Sequence, residues 1–459
     1  RLFAVIERAV HETKPGLELG MMTGDRFFEG YGFDRWATVL AGPDNSPVRW
    51  RPGGGYYQDN NTNDLLGKAH ELGRQTAVLP RSVVRIQSEI ENNPCQRLQK
   101  AARSTVIEAI VDMGVGCTGA TFNVLAETDD PLDEYEPLIA QIQRARPFLD
   151  LTAKHLGRST PIGVFPAWNK DLALVADEHG GDWFNGGDIS PLWRGAPMLE
   201  LGLPAAYSQA GAAVTLLFRQ SVATMSDEEI RRVLATGVYM DAQTLDALNR
   251  RGFQDLTGIA VGRALPLDCI EELTDHPLNG RFVRRKRDSR QSFYHVSGYE
   301  LRKADPKAQS LARLIDYWGQ EKAAVSMAVF ENRLGGRIAV GGYSPWSYLH
   351  SLSKASQMKS LVRWLSRDRL PAYVASYHKV NLWARRTADN RLAVLLLNAS
   401  FDPASDLELA LLTPGERISV WDMSCREQHI TAAKADGPYQ RFKLPSVEPW
   451  SVRLVVVEP

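Results

Sequence analysis

The sequence predicts an α/β fold in three domains: half of a (β/α)8 barrel over residues 1–157, a second α/β domain over 158–372, and a small β-sandwich over 373–459. Three observations indicate this division. Short apolar strands alternate with amphipathic helices up to residue 157, which is typical of a parallel sheet with right-handed crossovers. A new strand–helix series begins after that residue, and from residue 373 strand-like segments alternate with turns alone. The length of 459 residues also fits about three domains of roughly 150 residues each.

The first domain provides four strand–helix units, and four units make half of an eight-unit barrel. A Pro-Gly pair ends the first predicted helix, and the second strand runs into Pro-Gly-Gly-Gly, so both boundaries coincide with residues that end regular structure. The predicted helices cover residues 1–14, 33–40, 63–76, 98–113 and 135–156. The predicted strands cover residues 17–23, 48–51, 83–91 and 117–125.

The third predicted strand, residues 83–91, alternates between an apolar and a polar face. Even positions, beginning with Val84, are apolar or small, and odd positions, ending with Glu89 and Glu91, are polar or charged. This alternation has the period of a strand, and we expect the apolar face to meet the helices. The two glutamates then project from the polar face at the C-terminal end of the strand, where α/β barrels place their chemistry.

Glu89 and Glu91 are open to two interpretations. Two carboxylates on one inward face repel each other and need cations or hydrogen-bond donors, so they could form a structural ion-pair layer with Arg85. Alternatively, one of them is the nucleophile of a retaining glycosidase, whose second carboxylate acts as acid and base about 5–5.5 Å away. That second carboxylate has to come from another strand end, because neighbours on one strand leave no room for a sugar between them.

The segment Arg-Pro-Gly-Gly-Gly-Tyr-Tyr at residues 51–57 follows the second strand at the same end of the sheet. Three glycines could form an anion-binding nest, but no Lys-Ser/Thr follows them, so this is not a P-loop. One interpretation is a flexible turn. The other is a substrate-binding rim on which Tyr56 or Tyr57 stacks against a sugar ring and Arg51 orients a carboxylate. Asn123, near the end of the fourth strand, is a further rim candidate.

The second domain begins with a strand at residues 162–165, and its residues 237–242 resemble the turn at which class I glutamine amidotransferases carry their cysteine nucleophile. Asp241 occupies that position here, which favours a catalytically silent scaffold over an amidotransferase-like enzyme. Residues 262–320 have a weaker, more polar pattern and are predicted to be an insertion or long excursion. Further strands are predicted at 198–200, 213–217, 237–240 and 337–342, and a helix at 354–364.

The third domain combines short β-rich segments with turns, which is typical of a β-sandwich. Its predicted strands cover residues 380–384, 392–398, 407–410, 418–422, 442–444 and 451–457. No internal repeat or low-complexity segment is found in the sequence.

The composition argues against several function classes. Lys plus Arg and Asp plus Glu are equal at 54 each, so no basic field favours nucleic acid or an anionic membrane as a partner. No stretch approaches the 18 or so apolar residues that cross a membrane. The four cysteines are scattered without a CxxC pair, which indicates reduced thiols in a cytoplasmic protein. The histidines show neither metal-ligand spacing nor HExxH, so we expect neither a metal nor a cofactor.

This order of parts resembles the glycoside hydrolase family 42 β-galactosidases and their relatives in clan A. Glu-Asn-Asn-Pro at residues 91–94 is similar to the Glu-x-x-Pro that follows the family's seventh barrel strand, whose glutamate is the nucleophile. Residues 237–262 are similar to the family's trimerisation domain. The resemblance implies a retaining β-glycosidase, β-galactosidase-like, with Glu91 as nucleophile and Glu89 as second choice. It also implies a glycoside or oligosaccharide substrate and a homo-oligomer, with a trimer as the expected form.

The chain departs from the family at two places. Phe-Asn-Val-Leu at residues 122–125 stands where the family has an Arg-Trp-rich continuation, which bears on the galactose preference. The first four barrel strands are absent, and with them the Asn-Glu pair that supplies the acid/base on strand four. By this resemblance the four predicted strands are strands five to eight, the chain is the C-terminal two-thirds of a longer enzyme, and it is inactive alone. The rival interpretation is a non-catalytic carbohydrate-binding or assembly protein that kept the architecture and lost the acid.

Overall fold

The computed structural model describes residues 1–24, 32–126, 130–175, 191–265, 268–289 and 298–459. These residues form two compact units. The first unit contains residues 1–162, 206–208 and 380–459, and the second unit contains residues 163–205 and 209–379. The first unit therefore includes both the strand–helix series and the C-terminal strands. The division into three domains at residues 157 and 372 stays a prediction.

The strand–helix series of the first unit contains every strand and helix predicted for it, with ends that shift by up to four residues. Its strands are β1 (Leu19–Met22), β2 (Val48–Arg51), β3 (Val83–Glu91) and β4 (Gly119–Asn123). Its helices are α1 (Leu2–Thr13), α2 (Phe33–Ala41), α3 (Thr62–Val78), α4 (Ala102–Val115) and α5 (Glu136–Leu156). The strands form one parallel sheet in the order β1-β2-β3-β4, so their C-terminal ends meet at one edge.

Side-chain burial along β3 follows the predicted alternation from its fourth residue onward. Ile86, Ser88 and Ile90 are fully buried, whereas the polar residues that alternate with them are partly exposed. Helix α4 packs against this strand and is itself buried along residues 104–115. The apolar face of β3 therefore meets the helices, as the sequence predicts.

The prediction for Val84 is wrong, because its side chain is 48% exposed while that of Val83 is buried. The pairing register with β2 explains the difference. Val48 pairs with Val83 and Arg49 pairs with Arg85, which leaves Val84 as an extra residue in a β-bulge. Side chains of a strand alternate between its two faces, so an extra residue in a bulge breaks the alternation at that point. A prediction from sequence alternation therefore assigns Val84 to the buried face by mistake.

The second unit contains twelve described strands, eight of which form one mixed sheet. Its strands are β5 (Gly163–Pro166), β6 (Leu201–Pro204), β7 (Ala212–Leu217), β8 (Gly237–Asp241), β9 (Ile259–Leu265), β10 (Ile270–Leu273), β11 (Lys286–Asp288), β12 (Gly298–Lys303), β13 (Gln309–Ile315), β14 (Glu321–Glu331), β15 (Arg337–Gly341) and β16 (Ala372–Val374). Its helices are α6 (Pro191–Leu199), α7 (Arg219–Thr224), α8 (Asp227–Leu234), α9 (Ala242–Arg250), α10 (Gln254–Thr257) and α11 (Leu352–Leu365). The sheet order is β11-β10-β13-β14-β15-β8-β7-β5, with β15, β8, β7 and β5 parallel and the others antiparallel.

One prediction for the second unit is wrong, and another is not tested. Residues 198–200 are not a strand, because they lie at the end of α6, and the strand follows as β6. A short apolar run does not separate a buried helix end from a buried strand. Residues 262–320, whose weaker pattern predicts an insertion or long excursion, supply β10, β11 and β13 to the sheet, while β12 pairs with β9. That they are an insertion stays a prediction. Residues 266–267 and 290–297 of that segment lie outside the described residues.

The C-terminal part of the first unit consists of strands in two antiparallel sheets. The strands are β17 (Val380–Arg386), β18 (Leu392–Asn398), β19 (Glu408–Leu412), β20 (Arg417–Asp422), β21 (Glu427–Thr431), β22 (Lys434–Asp436), β23 (Tyr439–Lys443) and β24 (Ser451–Val457). One sheet contains β21-β20-β24-β18-β17 and the other contains β19-β23-β22. The sequence does not predict β21 and β22, because their side chains are mostly exposed and give no apolar alternation.

Candidate functional site

The C-terminal ends of β1 to β4 carry most of the residues that the sequence singles out. The four strands end at Met22, Arg51, Glu91 and Asn123. Because the strands are parallel and adjacent, these four positions follow one edge of the sheet. Glu91 and Asn123 are register partners on β3 and β4, so the structure brings these two predicted site residues side by side.

Arg51 and Glu89 form an ion pair across β2 and β3. The distance from Arg51 Nη2 to Glu89 Oε1 is 2.9 Å, and the two side chains are 30% and 19% exposed. The sequence predicts that Arg51 orients a carboxylate, and the carboxylate it reaches belongs to this chain. An ion-pair layer with Arg85 is wrong, because the Arg85 guanidinium lies 3.1 Å from Glu18 at the other end of the sheet.

Glu91 has a different environment from Glu89, although both project from the same face of β3. Its side chain is half-buried. Within the described ranges, its carboxylate makes no hydrogen bond and no ion pair. The neighbouring backbone is fixed, since the Asn92 N–H donates to the Asn123 carbonyl oxygen at 3.2 Å. Of the two candidate nucleophiles, Glu91 is thus the one whose carboxylate is not occupied by a cation of the described structure.

Two of the three glycines after β2 are explained by close packing. A Cβ at Gly54 would lie 2.6 Å from Leu72 Cδ1, and one at Gly55 would lie 2.6 Å from the Tyr57 ring. Tyr56 is buried, so it is not available to stack against a sugar. Tyr57 is 43% exposed and covers Gly55, which leaves it as the aromatic side chain of this rim. Packing therefore accounts for Gly54 and Gly55 without an anion nest.

A buried charge cluster lies behind β3, on the side of the helices, and the sequence reading missed it. It consists of Lys68 on α3, Lys100 before α4, and Glu108 and Asp112 on α4, all with side chains at most 1% exposed. The Glu108 carboxylate lies 2.6 Å from Lys68 Nζ and 2.5 Å from Lys100 Nζ. Asp112 lies 3.6 Å from Lys68 Nζ. Two basic and two acidic side chains thus face one another inside the first unit.

Burial and mutual attraction shift the ionisation of this cluster in opposite directions. Burial raises the pKa of Asp112 to about 7, although the charge of Lys68 acts against that rise. Burial alone would lower the pKa of Lys68, but Glu108 and Asp112 raise it above its usual value. Burial lowers the pKa of Lys100, and the nearby Glu108 carboxylate offsets only part of that lowering. A sequence signal does exist, because Glu108 and Asp112 stand four residues apart in the stretch Val106–Val115 of α4, whose other residues are all apolar or small.

Asp241, in the amidotransferase-like position of the second unit, has structural partners for both carboxylate oxygens. Its Oδ1 accepts from the Thr244 N–H at 2.8 Å and from Thr244 Oγ1 at 2.6 Å, which caps α9. Its Oδ2 accepts from Trp346 Nε1 at 3.0 Å. The Trp346 ring also packs against Phe218 and Tyr239, with ring centroids 4.9 Å apart in both pairs. This arrangement is that of a helix start fixed by packing.

The described residues contain no group of three or more His, Cys, Asp or Glu side chains that could hold a metal ion. The same residues include no helix that is both long and apolar enough to cross a membrane. The acid cluster at Glu108 and Asp112 is matched by lysines, so it offers its oxygens to ammonium groups rather than to a metal.

Comparison with known proteins identifies the fold. No family model matches the sequence, and no curated protein matches it either. Among solved structures, the α-L-fucosidase isoenzyme 2 from Paenibacillus thiaminolyticus is similar over 93% of this chain and 70% of that chain, with a TM-score of 0.59 and 15% identity. A rhamnosidase from Novosphingobium sp. PP1Y is similar over 94% of this chain and 38% of that chain, with a TM-score of 0.43 and 10% identity. The first likeness shows that the chain shares a fold of α/β and β-rich parts with that α-L-fucosidase.

Proposed function

We propose that the chain belongs to a retaining glycoside hydrolase of the family 42 type that acts on β-galactosides or related β-glycosides, with Glu91 as the nucleophile. The observation that carries the proposal is Glu91 itself, a half-buried carboxylate at the end of β3 without a partner among the described residues. A glycosidase-like fold supports it. Glu89 is the second choice, because Arg51 already neutralises it.

The chemistry follows from the position of Glu91. Its carboxylate attacks the anomeric carbon, the bond from that carbon to the leaving-group oxygen breaks, and an acid gives that oxygen its proton. Water then attacks the same carbon from the side that the leaving group vacated, a base takes the proton of the water, and Glu91 departs as a carboxylate. The amide of Asn123, beside Glu91, is placed to bind a sugar hydroxyl, and Tyr57 offers a ring to stack against the sugar.

The acid is not found at the other described strand ends, because β1, β2 and β4 end at Met22, Arg51 and Asn123. Asp241 of the second unit is engaged as a helix cap, which supports a scaffold role for that unit. We propose that the acid/base lies outside the described strand ends. We also propose that the second unit assembles a cytoplasmic homo-oligomer, which the family resemblance makes a trimer. No cofactor is needed for this chemistry.

The test uses a glycoside whose leaving group needs no acid. With 2,4-dinitrophenyl β-D-galactoside and sodium azide, Glu91 displaces dinitrophenolate and azide displaces Glu91, which gives β-galactosyl azide with retained configuration. We expect this product from the chain, and no turnover of 4-nitrophenyl β-D-galactoside without azide. The matching α-L-fucoside is run beside it, because the similar solved structure is an α-L-fucosidase.

Three variants interpret the result. Glu91→Gln is expected to abolish formation of the retained product, β-galactosyl azide, because direct attack by azide gives only the inverted α-azide. Glu134→Gln, at an exposed position, is the matched control for loss of a carboxylate. Loss of product in Glu89→Gln with product retained in Glu91→Gln would move the nucleophile to Glu89. Sugar binding with no glycosyl azide from either glycoside contradicts catalysis and supports the carbohydrate-binding alternative.

A further inference from the structure

Strand β3 extends beyond its neighbour β2 on one side. β2 pairs with β3 as far as the register Trp50 to Ile86, whereas β4 continues to pair with β3 from Gln87 to Glu91. The C-terminal end of β3, with both candidate glutamates, therefore has a strand neighbour on the β4 side only.

The carbonyl groups of this end alternate between the two sides of the strand. The Ile86 carbonyl points to the β4 side, where it accepts from the Thr118 N–H at 2.7 Å. The carbonyls of Glu89 and Glu91, at odd positions, consequently point to the β2 side, where β2 has already ended. An unpaired carbonyl in a buried place is costly, so these two groups need donors.

Two buried lysines supply the donors that β2 does not. Lys68 Nζ donates to the Glu89 carbonyl oxygen. Lys100 Nζ donates to the Glu91 carbonyl oxygen at 3.4 Å and to the Tyr56 carbonyl oxygen at 2.5 Å. Lys100 thereby ties the end of β3 to the loop that follows β2.

Glu108 holds both ammonium groups in place. One of its oxygens contacts Lys68 and the other contacts Lys100, so a single buried carboxylate bridges the two lysines. Asp112 adds a second negative charge 3.6 Å from Lys68. The lysines are thus neutralised, buried and aimed at two carbonyls that are two residues apart on one strand.

We infer that Lys68 and Lys100 are positioning residues for Glu89 and Glu91: they replace the missing strand neighbour and fix the direction in which the two glutamates leave the end of β3. The catalytic part of this inference rests on the proposed function. The structural part, that the lysines fix the strand end, does not. Misplacement of a reacting group by about 1 Å can cost on the order of 100-fold in rate, so this support matters for a nucleophile on an overhanging strand.

The experiment combines hydrogen exchange with kinetics. Lys68→Met and Lys100→Met are measured for amide exchange over residues 87–92 and for kcat and KM of β-galactosyl azide formation. We expect exchange there to rise by about 10-fold or more, kcat to fall about 10- to 100-fold, and KM to stay within about 2-fold. Lys100→Arg keeps a donor and a charge and is expected to recover part of kcat.

The matched control is Lys359→Met in the second unit. Lys359 is also buried and donates to a main-chain carbonyl, that of Ser376 at 2.8 Å, so its loss likewise removes a buried ammonium and its hydrogen bond to the main chain, without removing an ion pair. We expect no change in exchange over residues 87–92 and none in kcat. If Lys68→Met does not fold, Lys100→Met with the arginine variant decides alone.

Each outcome has one meaning. Faster exchange over residues 87–92 together with lower kcat supports the inference. Unchanged exchange overturns the structural part, and faster exchange with unchanged kcat overturns the positioning role. If the unsubstituted chain forms no glycosyl azide, the proposed function fails, while the exchange comparison still decides whether the two lysines fix the strand end.

Discussion

Each of the two units buries a carboxylate between two cations, and the two clusters differ in what else they contact. The three residues of each cluster are Glu108 with Lys68 and Lys100 in the first unit, and Glu271 with Arg287 and Lys354 in the second unit. Both carboxylates are at most 2% exposed. Burial of this kind costs desolvation, which only close opposite charges repay.

The charge balance of the clusters is different. Asp112 gives the first cluster a second acidic group, whereas Glu271 alone faces Arg287 and Lys354. Burial would raise the pKa of Glu271, but its two cations outweigh burial and lower the pKa to about 2. Asp112 has a single ammonium at 3.6 Å, so burial dominates and raises its pKa to about 7. A buried carboxyl group close to cations thus has a raised pKa in the first cluster, at Asp112, and a lowered pKa in the second cluster, at Glu271.

The remaining hydrogen bonds of the two clusters also differ. In the second unit, Arg287 Nη1 donates to the Tyr348 carbonyl oxygen at 3.0 Å and Lys354 contacts Met327 Sδ at 3.4 Å, groups of a loop and a core strand. In the first unit, both lysines donate to the strand that carries the candidate nucleophiles. A buried ion pair stabilises packing in one case and supports a candidate site in the other.

The largest expected effect comes from removing either central carboxylate. Glu271→Gln and Glu108→Gln each leave buried cations without their main partner, which costs about 3–5 kcal/mol of the free energy of unfolding. Glu271→Gln should be the more destabilising, because Asp112 remains to face the lysines of the first cluster. Both losses in the free energy of unfolding are measured by urea unfolding, with hydrogen exchange used to follow each unit separately.

The exposed Glu134→Gln is the control for this pair of variants and should change stability by less than about 0.5 kcal/mol. A loss in Glu108→Gln no larger than that of the control contradicts the view that the lysines depend on Glu108 for neutralisation.

The next effect is a pH dependence of opposite sign in the two units. The folded pKa of Asp112, raised to about 7, means that this group binds its proton more readily in the folded chain, so its contribution to stability falls as pH rises from about 4 to 7. Glu271, with a folded pKa of about 2, stabilises above its ordinary value of 4.5, and that contribution is lost as pH falls toward 2. Each slope reaches at most about 1.4 kcal/mol per pH unit.

Hydrogen exchange of each unit, measured between pH 3 and pH 8, separates the contribution of Asp112 to the pH dependence of stability from that of Glu271. Asp112→Asn should remove the loss of stability of the first unit above pH 4, and Glu271→Gln should remove the acid loss of the second unit. An unchanged slope in Asp112→Asn is the result that contradicts the raised pKa.

The sequence predicts the elements of the first unit better than their contacts. Val48–Arg51 and Val83–Glu91 are predicted to the residue, because alternation and flanking turn residues define short strands well. The approach of Arg51 to Glu89 follows from strand register, which a β-bulge at Val84 shifts by one residue. Register depends on pairing between distant segments, so a local pattern does not contain it.

The lysine cluster is harder to predict from sequence for a second reason. A lysine on a helix is usually solvated, so Lys68 on α3 has the ordinary interpretation of a polar helix face. Only Glu108 and Asp112, in an apolar stretch of α4, stand out in the sequence. The burial of Lys68 and its contact with the Glu89 carbonyl depend on packing between distant segments, which a local pattern does not contain. Glu91 can be selected as a candidate from the sequence, because its residue type and its position at the end of a strand are both visible in a short segment.

The smallest expected effect comes from the partly exposed pair Arg51–Glu89. Solvent screens such a pair, so the cycle of Arg51→Met, Glu89→Gln and the double variant should give a coupling of about 0.2–1 kcal/mol in the free energy of unfolding. The exposed pair Arg232–Glu228 on α8 is the control, with about 0.3–0.5 kcal/mol expected for its spacing of four residues. A coupling above about 2 kcal/mol for Arg51–Glu89 would place this pair with the buried clusters. Glu89 would then have a purely structural role, and Glu91 would be the remaining candidate nucleophile.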